Sequence, residues 1–257
     1  MKKRTGKVYL IGAGPGDPGL LTVKGKKCLG ICEVIIYDAL VNPEILTWAN
    51  PSAVKIYAGK RGVSKNKGRG LGQDQINRLM TRHAMFGKMV ARLKGGDPFL
   101  FGRGGEEAEF LSSHSIPFEV VPGVSSLTAV PAYAGIPVTD RRHNSMLTVI
   151  TGHSRDDTYE GPGIDWGKIS PSGTLVIFMG VEQLASIIRK LLREGWPKNL
   201  PIACVRWGTM PEQRTVSGTL SNILKKLKFA KPKFSPPAVI VIGSVVNIRK
   251  KIGWFKT

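Results

Sequence analysis

Residues 95–107 read Gly-Gly-Asp-Pro-Phe-Leu-Phe-Gly-Arg-Gly-Gly-Glu-Glu and follow an apolar strand pattern at residues 89–94. Glycine permits positive φ angles and lets a ligand approach main-chain groups closely. Surface turns are also rich in Gly, Asp and Pro, but they do not usually contain apolar side chains such as Phe99, Leu100 and Phe101, which we expect to be buried. A loop that is both glycine-rich and apolar is typical of a pocket wall, so this segment predicts a ligand-binding loop.

Strand and helix patterns alternate on both sides of this loop. Strands are predicted at residues 8–11, 33–38, 54–58, 89–94 and 118–121, and helices at residues 22–31, 73–86, 106–114 and 125–134. This alternation predicts an α/β domain with a largely parallel sheet. The unusual loops follow the carboxyl ends of the strands, which is where ligands bind in such sheets.

The second half of the chain has a different pattern. Residues 135–140 read as a hinge, and the strands predicted after it lie at residues 146–153, 174–180, 201–207, 215–219 and 238–242. Several of these strands are hairpin-like neighbours, which indicates a mixed sheet. We therefore predict an α/β fold of two domains: residues 1–138 with a mostly parallel sheet, and residues 139–257 with a mixed sheet.

The composition is that of an ordinary globular protein, with 42% hydrophobic and 22% charged residues in 257. No apolar run approaches the roughly 20 residues that span a bilayer, and the basic start lacks a signal-peptide cleavage pattern. We expect a cytoplasmic protein without a membrane partner. Cys28 and Cys32 lie four residues apart, but no further ligand accompanies them and the four histidines are scattered, whereas metal sites need clustered ligands. We therefore expect reduced, buried thiols and no metal.

The net charge of +20 is the unusual bulk property. Such a charge favours anionic partners, which include nucleic acid, an anionic membrane and a polyacidic small molecule. Basic residues concentrate in two segments, residues 60–69 and residues 225–251. Most of these side chains are expected to form a solvated basic surface. The charge alone does not choose among the partners.

The first loop superficially matches a dinucleotide-binding motif. Residues 12–16 read Gly-Ala-Gly-Pro-Gly after a strand, and Asp38 ends the next strand, where a ribose-binding acid would lie. Two departures argue against this interpretation: Asp17 occupies the place of the third glycine, and Pro15 removes an amide N–H that would face a pyrophosphate. An adenosine compound without phosphate is the better candidate.

Four motifs resemble those of the tetrapyrrole methylases, and they lie at residues 12–22, 95–107, 121–123 and 134–139. The similarity runs from Val8 to Phe255, and the chain is too short for the added dehydrogenase–ferrochelatase module that some members carry, which implies a monofunctional form. The resemblance implies S-adenosyl-L-methionine in a cleft between two α/β domains. It also implies C-methylation of uroporphyrinogen III at two ring carbons to precorrin-2, for sirohaem or cobalamin biosynthesis, by a homodimer. A polycarboxylate substrate would suit the basic charge, and no nucleic-acid partner is expected.

The same resemblance assigns roles to individual positions. The positions that it assigns to S-adenosyl-L-methionine are Pro15, Gly95, Gly96, Asp97, Leu100, Ser125, Ser126, Met179, Gly208 and Ala238. Ser125 and Ser126 replace a usual Thr-Ala pair. Asp38 and Lys60 match the proposed proton acceptor and proton donor, and Arg61 and Arg103 are candidate substrate contacts. Asp38 could instead orient substrate or cap a turn, and Lys60 could simply clamp a carboxylate.

Two other functions remain open from the sequence. One is a different reaction on the same fold, such as a later precorrin methylation or 2′-O-ribose methylation of ribosomal RNA. The net positive charge is compatible with the RNA substrate. The other is a non-catalytic nucleic-acid-binding protein. The sequence has no aromatic-and-basic cluster of the kind that stacks unpaired bases, and a purely binding role leaves the glycine loops unexplained.

Overall fold

The computed structural model describes residues 5–59, 70–152 and 163–255. The contacts divide the chain into two compact units, Met1–Ser125 and Ser126–Thr257. The boundary therefore differs from the one predicted after residue 138. The reason is that Val130, Ala134 and Ile136 are buried in a core with the strands of the second unit.

The first unit contains a five-stranded sheet in the order β3-β2-β4-β1-β5, and every neighbouring pair is parallel. Its strands are β1 Val8–Gly12, β2 Val34–Tyr37, β3 Val54–Tyr57, β4 Val90–Lys94 and β5 Phe118–Val121. Its helices are α1 Val23–Ile31, α2 Gln73–Met85 and α3 Gly104–Ser113, with 3₁₀ helices at Pro18–Leu20 and Pro43–Trp48. The predicted parallel sheet is confirmed.

Helices cover both faces of this sheet. Successive strand residues point to opposite faces, so Ile35 packs in one core with Leu29 of α1. Its neighbour Ile36 packs in the other core with Met80 of α2 and Leu111 of α3. All residues of the central strands β1 and β4 are buried, as expected for parallel strands that are covered on both sides.

The strand order places the site. From β1 the chain passes over β4 to reach β2, and from β4 it passes over β1 to reach β5. The loops that follow β1 and β4 therefore leave neighbouring strand ends in opposite directions. This is a topological switch point, the place where ligands bind in open α/β sheets.

The second unit contains a mixed five-stranded sheet in the order β6-β7-β10-β8-β9, as predicted. Its strands are β6 Leu147–Thr151, β7 Thr174–Phe178, β8 Pro201–Arg206, β9 Arg214–Thr219 and β10 Ala238–Ile242. Its helices are α4 Ser126–Tyr133, α5 Leu184–Arg193, α6 Ile223–Lys228 and α7 Arg249–Ile252, with 3₁₀ helices at Trp166–Lys168 and Ser244–Ile248. Strands β7 and β8 both run antiparallel to β10, so their carboxyl ends lie at the edge where β10 begins.

A charged cluster ties three elements of the first unit together. Glu119 of β5 accepts hydrogen bonds from Lys7, which precedes β1, at 2.5 Å and from Lys24 of α1. The Lys24 and Lys7 ammonium groups lower the pKa of Glu119 to about 2. Because all three side chains remain accessible to water, the contribution of the cluster to stability is small and is screened by salt.

We expect Glu119→Gln to lower the thermal stability near neutral pH by a small, salt-sensitive amount. The pKa of Glu119 in the folded protein is below its ordinary value of 4.5, so the ion pairs stabilise the fold above that value and are lost as the pH falls toward 2. Melting temperatures of both proteins by circular dichroism, from about pH 7 to about pH 3, check this. A gap between the two proteins that stays constant with pH would contradict it.

Candidate functional site

Three loops of the first unit meet backbone to backbone at the carboxyl edge of the sheet. They follow β1, β4 and β5, and we call their meeting point the glycine junction, formed by Gly12, Gly96 and Gly123. A Cβ atom on Gly12 would lie 2.5 Å from the Gly123 Cα, and one on Gly123 would lie 2.3 Å from the Gly96 carbonyl oxygen. Real Cβ atoms do not approach that closely, so neither Gly12 nor Gly123 can be replaced without moving the junction.

Two main-chain hydrogen bonds join the loops after β1 and β4 at this junction. Gly14 N donates to Gly96 O at 3.2 Å, and Gly96 N donates to Gly14 O at 2.7 Å. Gly96 has a φ of +69°, a conformation that glycine adopts without strain, and a Cβ there would meet nothing within 4 Å. Its main chain therefore borders open space, which a ligand can approach. The half-buried Pro15 lies in the neighbouring loop.

Asp97 joins two of these loops through its side chain. Its Oδ1 accepts a hydrogen bond from Phe99 N at 2.8 Å, and its Oδ2 accepts one from Gly123 N at 3.0 Å. The carboxylate thus spans the loops after β4 and β5. Asp97 was predicted to contact the cofactor, whereas its bridging of the two loops was not predicted. An ionised carboxylate has about four lone-pair sites, so it retains capacity for a ligand.

The aromatic residues of the 95–107 segment are placed differently from the prediction. Phe99 is 58% exposed and Phe101 is 42% exposed, so the expectation that both are buried is wrong. The loop is shaped by its main chain instead, because Gly104 N donates to Pro98 O at 2.9 Å and a Cβ on Gly104 would lie 2.4 Å from that oxygen. The neighbouring Leu100 is half-buried.

Asp38 lies directly after β2 and is held by a buried cation. Its Oδ1 is 2.6 Å from Nη2 of Arg92, whose side chain is 3% exposed, while the Asp38 side chain is 30% exposed. The ion pair gives one oxygen of the Asp38 carboxylate a partner on the neighbouring strand β4. The loops after β2 and β4 are also in close contact, because a Cβ on Gly95 would lie 2.9 Å from the Leu40 Cβ.

The other predicted polar residues have mixed outcomes. Arg103 is paired with Glu106 through bonds of 2.9 Å and 2.6 Å, so a substrate carboxylate would compete with Glu106 for it. Arg103 has a φ of 57°.

Lys60 and Arg61 lie outside the described residues. Gly59, which precedes them, packs against the residue after Asp38, because a Cβ there would lie 2.5 Å from Ala39 N.

The second unit brings three of its four predicted cofactor residues to one edge of the sheet. Met179 follows β7, Gly208 lies shortly after β8, and Ala238 begins β10, directly opposite Arg206 of β8. A Cβ on Gly208 would lie 2.4 Å from the Val130 side chain, so α4 packs tightly under this loop. Ser125 and Ser126, which are half-buried, lie where α4 begins.

The backbone at this edge is unusual. Met179, Trp207 and Thr209 have φ values of 51°, 48° and 69°. The left-handed region is unfavourable for residues other than glycine, and such residues cluster at ligand sites. Gln213 supports the loop by accepting from Thr209 N at 2.8 Å and donating to Tyr133 O at 3.1 Å. No sequence signal pointed to Gln213, because its partners are set by the fold.

Within residues 5–59, 70–152 and 163–255, no group of His, Cys, Asp and Glu side chains is arranged to hold a metal ion. The same part of the chain contains no helix with the length and apolar character needed to cross a membrane. The cysteines are buried as expected. Burial raises the pKa of Cys32 and of Cys204 to about 12 and also raises that of Cys28.

We therefore expect the native protein to resist an aromatic disulfide reagent at mildly alkaline pH, since the thiolate is the reactive form. All three thiols should react after denaturation. Absorbance of the released thiolate, measured with and without denaturant, checks this. A thiol that reacts rapidly in the native protein would contradict the buried placement.

Two α/β units, each with strained or glycine-rich loops gathered at the carboxyl ends of its strands, define an α/β enzyme that handles small ligands. The chain belongs to the Tetrapyrrole (Corrin/Porphyrin) Methylases, whose family model matches residues 7–224. It is therefore an enzyme of the methyltransferase class, and the predicted fold class is confirmed.

The chain covers most of the length of some relatives and about half the length of another. The chain is 48% identical to the uroporphyrinogen-III C-methyltransferase of Synechocystis sp., covering 94% of this chain and 90% of that protein. It is 45% identical to the Bacillus subtilis enzyme of the same name, covering 98% and 95%. It is also 42% identical to the sirohaem synthase of Azotobacter vinelandii over 99% of its own length, but it spans only 53% of that protein.

Solved structures agree with this placement. The native uroporphyrin III C-methyl transferase of Thermus thermophilus superposes with a TM-score of 0.77 at 39% identity, covering 95% of this chain and all of that one. A second structure of the Thermus enzyme, complexed with S-adenyl homocysteine, gives a TM-score of 0.76 with the same identity and coverage.

Proposed function

We propose that this protein transfers methyl groups from S-adenosyl-L-methionine to two ring carbons of uroporphyrinogen III, giving precorrin-2 for sirohaem or cobalamin biosynthesis. The observation that carries the proposal is the glycine junction at the switch point of the first sheet, in a chain that matches these methyltransferases over nearly its whole length. The Thermus relative crystallised with S-adenyl homocysteine supports the choice of methyl donor.

The residues at the junction suit this donor. The main chain of Gly96 borders open space, so the loop of Gly95, Gly96 and Asp97 can present its polar groups to the methionine end. Pro15 presents no N–H to a phosphate, which agrees with a ligand that has none. We assign Leu100 and the pair Ser125 and Ser126 to further contacts with the donor. Met179, Gly208 and Ala238 are assigned to the adenosine end.

The chemistry needs positioning more than activation. The donor supplies a methyl group on a sulfonium cation, which is already activated. The reduced pyrrole carbon is an enamine-like nucleophile, so the protein has to hold it in line with that methyl group. After transfer, a proton must leave the ring, and Asp38 is the proposed base. Lys60 is the proposed proton donor.

The basic character suits a polyanionic substrate. Uroporphyrinogen III has eight carboxylates, and Arg61 and Arg103 are the proposed contacts, because guanidinium groups bind carboxylates in a bidentate way. Arg103 would exchange Glu106 for substrate. The net charge of +20 would accelerate encounter with such an anion at low ionic strength. We further propose that the protein acts as a homodimer in the cytoplasm, with no nucleic-acid or membrane partner.

One assay tests the proposed function. Purified protein is incubated anaerobically with S-adenosyl-L-methionine and uroporphyrinogen III, and S-adenosylhomocysteine is quantified together with the chromophore of oxidised precorrin-2. Both products are expected, with two methyl groups transferred per tetrapyrrole. Absence of both would overturn the proposal. Methyl transfer to ribosomal RNA, with salt-sensitive RNA binding, would assign the chain to RNA instead.

A further inference from the structure

Three charged side chains are buried under the carboxyl edge of the first sheet. Arg92 and Lys94 lie on β4, and Glu107 lies in the first turn of α3. Their side chains are 3%, 3% and 0% exposed. Charged residues are almost never this deeply buried unless they are paired, and a buried ion pair is weak evidence for stability because apolar residues of similar volume often serve as well. The cluster therefore calls for a functional explanation.

Glu107 anchors the cluster through a single oxygen. Its Oε1 accepts hydrogen bonds from Arg92 Nε at 3.0 Å, Lys94 Nζ at 2.8 Å and Gln73 Nε2 at 3.1 Å. Its Oε2 is buried and has no hydrogen-bond partner in the part of the chain that the structure describes. A glutamine at this position would therefore keep all three donors on its carbonyl oxygen while losing the charge.

Arg92 is fixed by contacts on three of its guanidinium nitrogens, and its Nη2 group is directed at Asp38. Besides Glu107, its guanidinium donates through Nη1 to the carbonyl oxygens of Ile36 and Leu93, both at 3.4 Å. The remaining nitrogen, Nη2, pairs with Asp38 at 2.6 Å. The Arg92 guanidinium thus links the fully buried Glu107 carboxylate to the partly exposed Asp38 carboxylate. Its Nη1 group is held by the two backbone carbonyl oxygens.

Lys94 balances this arrangement. With it, the cluster contains two cations and two carboxylates. Burial, and then the nearby Arg92 charge, lower the pKa of Lys94, while Glu107 opposes that change. Removing the Glu107 charge would leave Arg92 and Lys94 buried side by side with Asp38 as the one remaining carboxylate of the cluster. Arg92 would then donate to a neutral carbonyl oxygen, a weaker acceptor than a carboxylate, so its angle toward Asp38 would be held less firmly.

We infer that Glu107 is a positioning residue for methyl transfer, acting through Arg92 to hold the Asp38 carboxylate in its reactive orientation. The inference rests on the proposed function, in which Asp38 removes the ring proton. Glu107 itself touches neither the substrate nor the methyl donor in this scheme. The position of Glu107 in the helix that follows the glycine loop links loop placement to the orientation of the base.

The test is a double-mutant cycle between Glu107→Gln and Asp38→Asn, with the exposed Glu109→Gln of the same helix as the matched control. For Glu107→Gln, we expect kcat for S-adenosylhomocysteine formation to fall about tenfold to hundredfold. The KM for uroporphyrinogen III and the calorimetric affinity for S-adenosylhomocysteine should change little. In the Asp38→Asn background, Glu107→Gln should have almost no further effect, because it acts through Asp38.

Several outcomes would overturn the inference. An unchanged kcat in Glu107→Gln is one, and a loss of the same size in the Asp38→Asn background is another, since that pattern means a general structural effect. If Glu107→Gln does not fold, Arg92→Lys replaces it, because lysine keeps the charge but cannot hold Glu107 and Asp38 together; wild-type kcat in Arg92→Lys would equally refute the idea. An inactive wild-type protein would instead remove the proposed function, and the inference with it.

Discussion

Replacing Gly123 by alanine is expected to abolish binding of the methyl donor and to destabilise the first unit. The new Cβ would lie 2.3 Å from the Gly96 carbonyl oxygen and 2.7 Å from the Gly12 Cα, so the loops after β1, β4 and β5 must separate. Overpacking of this kind costs about 1–3 kcal/mol of stability. A shift of about 1 Å in a positioning loop costs about a hundredfold in rate. Chemical denaturation, calorimetry with S-adenosylhomocysteine and the methyl-transfer assay measure the three effects.

Gly30→Ala is the matched control. Gly30 lies in α1, and a Cβ there would meet nothing within 4 Å. Alanine is favoured over glycine inside a helix by up to about 1 kcal/mol, so this variant should be slightly more stable and fully active. Donor affinity in Gly123→Ala equal to that of Gly30→Ala would show that the close approach at the glycine junction is not required.

Removal of the Asp97 side chain is expected to weaken donor binding strongly while the fold persists. Asp97→Ala deletes the acceptor for Phe99 N and for Gly123 N. Phe99 is exposed and Gly123 is half-buried, so we expect water to replace the lost acceptor and the loss of stability to stay near about 1–2 kcal/mol. The freed loop should lower the affinity for S-adenosylhomocysteine by at least about tenfold, or about 1.4 kcal/mol.

Circular dichroism and calorimetry separate these two effects. Asp165→Ala, which removes an exposed carboxylate of the second unit, should leave both readouts unchanged. Asp97→Asn tests the geometry, since its amide keeps one acceptor for a backbone N–H and should recover part of the affinity. Wild-type affinity in Asp97→Ala would remove Asp97 from the site and from the support of the loop.

Much of the fold was predictable because it depends on local patterns. The buried strand pattern of Val8–Gly12 and the strand that precedes Gly95 indicated a parallel sheet, and the glycine loops marked its carboxyl edge. The unit boundary was less accessible. Residues 135–140 have the composition of a hinge, but Val130 and Ile136 are buried with the second sheet, and that contact depends on tertiary packing.

The segments that form the site were predictable from the sequence, but the side-chain contacts between them were not. Glycine-rich loops identified the segments that meet, but the bond from Asp97 to Gly123 joins residues 26 apart in the chain. The pairing of Arg92 with Glu107 and Asp38 was missed for the same reason. Residues 89–94 were predicted only as an apolar strand, and nothing in that pattern indicated that Arg92 and Lys94 are buried.

At the residues with positive φ at the edge of the second sheet, thermal stability and ligand binding favour different amino acids. Met179 is 47% exposed with a φ of 51°, so a glycine there would relieve backbone strain of about 1–2 kcal/mol. It would also delete the side chain that we assign to the adenosine end of the methyl donor. An engineer who selects variants of this enzyme for thermostability alone should therefore expect position 179 to drift toward glycine at the expense of turnover.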